Sequence, residues 1–172
     1  MAAIPAVDPG RDHVRGAAEP RVTLVEYGDF QCPYCGDAYP AVNELLESCD
    51  WLGFAWRHMP LVDLHPRSEA AAQASEAAAD QGKFWEMHDR LFENQQALSD
   101  SDLSAHAAAI GLDVERFERE LREGTYAERV AEDFRSGAAS GIPSTPRFFV
   151  NGQMHLGSAN ERDLRAAIEA EA

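Results

Sequence analysis

Two cysteines separated by two residues, Cys32 and Cys35, are the residues in this sequence best suited to chemistry. They follow Arg21–Tyr27, where apolar and polar residues alternate as in a strand, and they precede residues 33–48, whose apolar spacing predicts a helix. The N-terminus of a helix presents unpaired N–H groups and the positive end of the dipole, both of which stabilise an anion. A thiol placed there can have its pKa lowered from about 8.5 to roughly 3.5–7.5, and the thiolate is the nucleophile in thiol–disulfide exchange. The pattern therefore predicts a redox-active pair.

Position on the predicted helix distinguishes the two sulfurs. Cys32, at the tip, is predicted to be the exposed attacking sulfur, and Cys35, one turn further in, the more buried resolving sulfur. We expect no metal, because a structural zinc site requires four ligands and the chain has only one other cysteine, Cys49. Cys49 is interpreted as a small buried or incidental thiol, with an intermolecular or regulatory disulfide as the alternative. A purely structural Cys32–Cys35 bridge is disfavoured because it would constrain very little chain.

Composition restricts the class of protein. The 172 residues, 45% of them hydrophobic, are enough for one domain with a core of its own. A formal charge of −15, from 30 acidic and 15 basic residues, argues against partners that are nucleic acids or anionic membrane surfaces. No apolar segment approaches transmembrane length, and residues 1–20 lack the apolar centre of a signal peptide. The expected location is the cytoplasm, or the periplasm or another extracytoplasmic space if a signal peptide has been removed.

The order of predicted elements is β-α-β, a helical insertion, then β-β-α. Residues 1–20 are predicted to be an N-terminal arm, and residues 21–172 the folded domain, with the insertion at about 63–141. The second strand is predicted at Trp51–Met59, and a hairpin with an Asn-Gly turn at residues 147–156. A strand–helix–strand unit requires a crossover, so the first two strands are expected to be parallel.

Two motifs within this order resemble those of the DsbA-like thiol–disulfide oxidoreductases, which are thioredoxin folds with a helical insertion. They are Cys32-Pro33-Tyr34-Cys35 and the segment from Gly141 to Gly152, and the resemblance covers Arg21 to Ala170. The resemblance implies an α/β thioredoxin fold and an enzyme that exchanges disulfides with protein or peptide dithiols. A mixed disulfide would form on Cys32 and be resolved by Cys35, without a bound cofactor.

The resemblance also implies roles for residues outside the pair. Glu26 corresponds to a buried acid that relays protons to or from the resolving cysteine; the alternative is an exposed residue at the strand end. If Glu26 is buried, Arg57 or His58 on the second strand could be its partner. A raised pKa, expected for a buried carboxyl group, would allow proton transfer near neutral pH.

A second implied feature is a cis peptide bond before Pro146, with Pro143 as the competing candidate. Thr145 would then offer its backbone to an extended substrate chain, and Pro33 and Tyr34 would line the same substrate site. The Pro-Tyr dipeptide departs from the Pro-His of periplasmic oxidants and matches glutaredoxins. A glutathione-linked reductase is therefore one alternative function, and a redox-inert peptide-binding module is another.

Overall fold

A five-stranded sheet forms the centre of the computed structural model, which describes residues 4–172. The strands are β1 (His13–Gly16), β2 (Val22–Gly28), β3 (Leu52–His58), β4 (Arg147–Val150) and β5 (Gln153–Met154). Their order across the sheet is β1-β3-β2-β4-β5. As expected from the crossover, β2 and β3 are parallel, whereas β1, β4 and β5 pair antiparallel with their neighbours. The strand that leads into the cysteine pair, β2, is therefore the central one.

The helices comprise one after β2, five between β3 and β4, and one after the hairpin. They are α1 (Pro33–Ser48), α2 (Ser68–Asp80), α3 (Phe84–Glu93), α4 (Asp100–Ala109), α5 (Val114–Glu123), α6 (Ala127–Ala139) and α7 (Glu161–Glu169). The five helices α2–α6 occupy the segment predicted to be an insertion. Among residues 4–172, no helix combines the length and hydrophobicity required to cross a bilayer.

The apolar positions of α1 explain how it lies on the sheet. Cys35, Val42 and Leu45 are buried on one side of the helix and belong to the larger hydrophobic cluster. From the sheet, Leu24 and Phe54 contribute to the same cluster. The first helical position is a proline, which is tolerated there because no intrahelical partner exists for that N–H group. Packing and sequence together therefore hold the N-terminus of α1 at the carboxyl end of β2.

Part of the predicted N-terminal arm belongs to the sheet. Residues 1–3 lie outside the described part of the chain, but β1 pairs with the edge of β3. A buried ion pair fixes this segment: Arg57 Nε and Nη2 donate to the two carboxylate oxygens of Asp12 at 3.0 and 2.9 Å. Burial alone would raise the pKa of Asp12, but the hydrogen bonds from Arg57 lower it below its ordinary value. Strand β1 is thus held by an ion pair and by backbone hydrogen bonds. Neither contact requires the alternating apolar residues from which a strand is predicted.

Candidate active site

The cysteine pair lies where β2 gives way to α1. Cys32 is the N-cap of α1, with extended backbone angles, and its side chain makes no capping hydrogen bond within the first turn. Both thiols are free, and Cys35 lies one turn further along the helix. The structure therefore places the sulfur of Cys32 where the helix terminus favours a negative charge.

Several polar groups lie around the Cys32 sulfur. The thiol of Cys35, the side chain of Thr145 and the backbone N–H groups of Cys35 and Tyr34 together lower the pKa of Cys32 to about 5, against the opposing effect of burial. The hydroxyl of Thr145 has no hydrogen-bond partner among the described residues, so it is available to donate to the thiolate. In the neutral form, the Cys32 thiol donates to the Thr145 carbonyl oxygen at 3.5 Å. Cys32 is accordingly a thiolate at neutral pH.

The exposure predicted for Cys32 is wrong. Cys32 is 2% exposed and Cys35 is fully buried, so accessibility scarcely separates the two. The reason is that the turn containing Thr145 lies directly against the Cys32 sulfur. What separates the thiols is their electrostatics: burial and the hydrogen bond to Cys32 raise the pKa of Cys35 well above its ordinary value. A substrate has to displace part of this cover to reach Cys32.

Glu26 is buried in the central strand and is 3% exposed. Burial, and secondarily the negative charge on Cys32, raise its pKa to about 8. Its Oε1 atom has no hydrogen-bond partner within residues 4–172. Glu26 is therefore an uncharged acid at neutral pH, close enough to the cysteines for their charges to interact.

Neither proposed partner of Glu26 pairs with it. Arg57 points to the other face of the sheet, where it binds Asp12. His58 accepts a hydrogen bond from the Trp56 indole and contacts Glu76, so both of its ring nitrogens are used. The carboxyl group of Glu26 instead shares its space with the Trp56 ring, and Gly28 makes room for both. A Cβ on Gly28 would lie 2.2 Å from that ring and 3.0 Å from Glu26 Oε1.

The Thr145–Pro146 turn is brought beside the pair from 113 residues away in sequence. The peptide bond between these two residues is cis. No other cis bond occurs among residues 4–172, so the bond before Pro143 is trans. Thr145 is 7% exposed, whereas Tyr34 is 70% exposed on the first turn of α1. Of the four residues predicted to bind substrate, Pro33 and Tyr34 are exposed, Pro146 is half-buried and Thr145 is buried against Cys32.

Sequence analysis did not identify Asp29, whose carboxylate organises the turn before Cys32. It accepts hydrogen bonds from the backbone N–H groups of Gln31 and Leu61, at 2.8 and 2.9 Å, and lies 2.8 Å from His65 Nδ1. Its own backbone N–H points at the sulfur of Cys35, 3.5 Å away. An aspartate at a strand end before a turn is a known signal for such side-chain-to-backbone bonds, and it could have been used here.

A second polar cluster, His13, His58 and Glu76, has donor atoms close enough together to hold a metal ion. Such donors would suit zinc. However, Trp56 Nε1 donates to His58 Nδ1 at 3.1 Å, which places the His58 proton on Nε2. That proton is donated to Glu76 Oε1, 2.7 Å away, so the lone pair that a metal would need is absent. The cluster is a hydrogen-bonded link between β1, β3 and α2.

Comparisons with known proteins agree with this fold. The family model described as thioredoxin matches residues 8–170. The structure of oxidised BdbD from Bacillus subtilis has a TM-score of 0.86 and 24% identity, covering 99% of this chain and 97% of that one. A thioredoxin-like oxidoreductase from Silicibacter pomeroyi has a TM-score of 0.77 and 27% identity, with 95% and 92% covered. The thiol-disulfide exchange protein alpha-DsbA2 from Wolbachia pipientis has a TM-score of 0.79 and 18% identity, with 94% and 87% covered. The predicted thioredoxin fold and DsbA-like resemblance are confirmed.

Curated relatives with higher sequence identity are named as membrane transporters. Na(+)/H(+) antiporter NhaA 1 of Salinispora arenicola is 52% identical over 162 residues, which is 94% of this chain and 25% of that protein. Na(+)/H(+) antiporter NhaA 1 of Mycobacterium sp. (strain KMS) is 46% identical over 167 residues, or 95% and 27%. The chain therefore spans about a quarter of the length of the curated relatives it matches.

Proposed function

Because the chain belongs to the thioredoxin family, we propose that it is a thiol–disulfide oxidoreductase that acts on protein or peptide thiols through Cys32 and Cys35. One observation carries the proposal. The Cys32 sulfur lies at a helix N-terminus beside Cys35, Thr145 and the backbone N–H groups of Tyr34 and Cys35, and these groups lower its pKa to about 5. A thiol with this pKa is ionised at neutral pH and reactive in exchange.

In the oxidising direction, a substrate thiolate attacks the Cys32 sulfur of a Cys32–Cys35 disulfide. The bond between the two sulfurs breaks, a mixed disulfide forms on Cys32, and Cys35 leaves as a thiolate. A second substrate thiolate then attacks the substrate sulfur of the mixed disulfide and releases Cys32 as a thiolate. The substrate has lost two electrons, and the Cys32–Cys35 pair has gained them; reduction is the same sequence in reverse.

Glu26 is proposed to supply the proton that Cys35 requires. Cys35 has a raised pKa, so its leaving thiolate is a strong base, and Glu26 holds a proton up to about pH 8. Transfer of this proton to Cys35 favours release of the thiol, and in reverse the Glu26 carboxylate removes the proton before Cys35 attacks. Pro33, Tyr34, Thr145 and Pro146 are proposed to bind the substrate chain around Cys32.

The experiment compares variants in two assays, disulfide formation in a reduced unfolded protein and reduction of insulin. Cys32→Ser is expected to abolish both activities, Cys35→Ser to accumulate mixed disulfides on Cys32, and Cys49→Ser to leave turnover unchanged. Full activity in Cys32→Ser would reject the proposal. A redox-inert binding module would instead show no turnover in either assay, and a Cys32→Ser/Cys35→Ser variant would keep its full biological activity. Turnover that requires glutathione would instead assign the glutathione-linked alternative, which the Pro33-Tyr34 dipeptide favours.

The relatives also suggest where the domain works. We propose that it functions next to a membrane-embedded Na(+)/H(+) antiporter, because the relatives that match 94–95% of the chain are named as such transporters. The cytoplasmic location expected from the sequence receives no support from the comparisons. The test uses membrane vesicles that contain the Salinispora arenicola antiporter, with its homologous segment replaced by this domain. Na⁺-dependent proton movement is expected to differ between oxidised and reduced vesicles, and a Cys32→Ser/Cys35→Ser variant is expected to remove the difference. Equal movement in all vesicles would contradict a redox link to transport.

A further inference from the structure

One side chain of the helical insertion, that of Gln95, reaches the turn that carries Cys32. Gln95 lies between α3 and α4, and its Nε2 is 2.9 Å from the carbonyl oxygen of Phe30 and 2.9 Å from that of Cys32. A side-chain amide has two N–H hydrogens, so this one group can donate to both carbonyls. The Cys32 carbonyl oxygen also accepts the N–H of Gly36 at 3.1 Å, and Gln95 links it to the Phe30 carbonyl. Carbonyl oxygens can only accept hydrogen bonds, so the nitrogen end of the Gln95 amide must face the turn.

The oxygen end of the same amide packs against Gly36 in the first turn of α1. A Cβ on Gly36 would lie 2.1 Å from Gln95 Oε1 and 2.8 Å from Cδ, so a larger residue would push the amide away. Glycine is unfavourable inside a helix by about 1 kcal/mol relative to alanine. Its presence at position 36 is explained by the close approach of the amide.

We propose that Gln95 is a positioning residue for the Cys32 sulfur, because it holds the carbonyl groups on either side of the turn from Phe30 to Cys32. With these carbonyls fixed, the following peptide groups keep the N–H groups of Tyr34 and Cys35 beside the sulfur. Those two N–H groups act with the Cys35 thiol and Thr145 to lower the pKa of Cys32. Without Gln95 the Phe30 and Cys32 carbonyls are no longer linked to each other, the turn between them is less constrained, and the donors around the thiolate are less well placed.

The test is titration of the reduced protein, with alkylation at Cys32 followed by mass spectrometry. Gln95→Ala is expected to raise the pKa of Cys32 by about one unit, which lowers the alkylation rate about tenfold at a pH below the transition. Gln96→Ala is the matched control, since Gln96 is the exposed neighbour of Gln95. It is expected to leave the titration unchanged.

Gly36→Ala tests the same contact from the other side. Its new Cβ meets the far end of a flexible side chain, so the protein is expected to fold and only the amide is displaced. The pKa of Cys32 should rise as in Gln95→Ala, and the double variant should show no further rise, because both changes remove one interaction.

An unchanged Cys32 titration in the folded Gln95→Ala protein would overturn the inference. If Gln95→Ala does not fold, Gly36→Ala decides: an unchanged titration in that variant has the same meaning. The contact matters for exchange chemistry only if the proposed function is correct, so this inference rests on that function. The titration of Cys32 does not depend on it. Alkylation needs no protein substrate, so a normal Gln95 effect in a protein without exchange activity would reject the function and keep the positioning role.

Discussion

Replacement of Glu26 by glutamine should change how the stability of the reduced protein depends on pH. The carboxyl group is buried and its pKa is raised from 4.5 to about 8, so the folded state holds this proton more tightly than the unfolded state does. The stabilisation is therefore fully present below about pH 4.5, and it is lost as the pH rises through the folded pKa near 8. Glutamine resembles the protonated acid in shape and does not ionise, so Glu26→Gln should lack this loss.

The size of the effect follows from the two pKa values. The difference between 4.5 and about 8 corresponds to about 5 kcal/mol, at 1.36 kcal/mol per unit. This is an upper value, since relaxation and water entry around an ionised Glu26 reduce its cost. We expect the two proteins to have similar free energies of unfolding at pH 5. At pH 8 to 9, Glu26→Gln should be more stable by about 2 to 4 kcal/mol.

The assay is urea unfolding, followed by circular dichroism at a series of pH values with a non-thiol reductant present. Glu47→Gln, a change at an exposed carboxylate on α1, is the control. Its free energy of unfolding should depend on pH in the same way as that of the unchanged protein. The stability difference between Glu26→Gln and the unchanged protein should be smaller in the disulfide form, because the Cys32 thiolate that helps to raise the Glu26 pKa is absent there. A constant difference between Glu26→Gln and the unchanged protein from pH 5 to 9 would refute the reasoning.

Three further predictions concern single contacts. Ultraviolet thiolate absorbance of the reduced protein should show a transition near pH 5 that disappears in Cys32→Ser; a first transition near the ordinary thiol value would contradict the described hydrogen bonds. Asp12→Ala should lower the free energy of unfolding by about 3–5 kcal/mol, because it leaves Arg57 buried without its counter-ion, and Asp12→Ala/Arg57→Met should recover part of that loss in the same urea assay. Asn151 has a φ of 48°, so Asn151→Ala should cost about 1–2 kcal/mol and Asn151→Gly less; equal losses would place the cost in the lost hydrogen bond to Thr23 instead.

Local patterns in the sequence were sufficient for most of the elements around the site. The alternation at 21–27 predicted a strand, and the observed strand is Val22–Gly28, which is buried on both faces, with Leu24 in the larger hydrophobic cluster and Val25 in the smaller one. Asn151 and Gly152 form the expected hairpin turn, and Ser99 and Asp102 form a capping box, whose two residues lie three positions apart. Each of these signals depends on neighbours within a few residues, which a sequence displays directly.

The missed features depend on contacts between distant parts of the chain. Strand β1 has a polar sequence and is held by Asp12, whose partner Arg57 follows 45 residues later. Asp29 joins segments 36 residues apart through His65, and Gln95 reaches Cys32 across 63 residues. Charged or amide side chains in such places have no periodicity that distinguishes them from solvent-exposed residues. The low exposure of Cys32 has the same origin, since its cover comes from Thr145.

The separation between Cys32 and Thr145 has a consequence during protein synthesis. Chains emerge from the ribosome N-terminus first, at about 5–20 residues per second. The cysteine pair is thus made well before the turn at Thr145, which contacts it from 113 residues away. Until β4 pairs with β2, Cys32 lacks one of the groups that stabilise its thiolate. A nascent chain therefore carries less reactive thiols, and its exchange chemistry reaches full strength only when the last part of the sheet has formed.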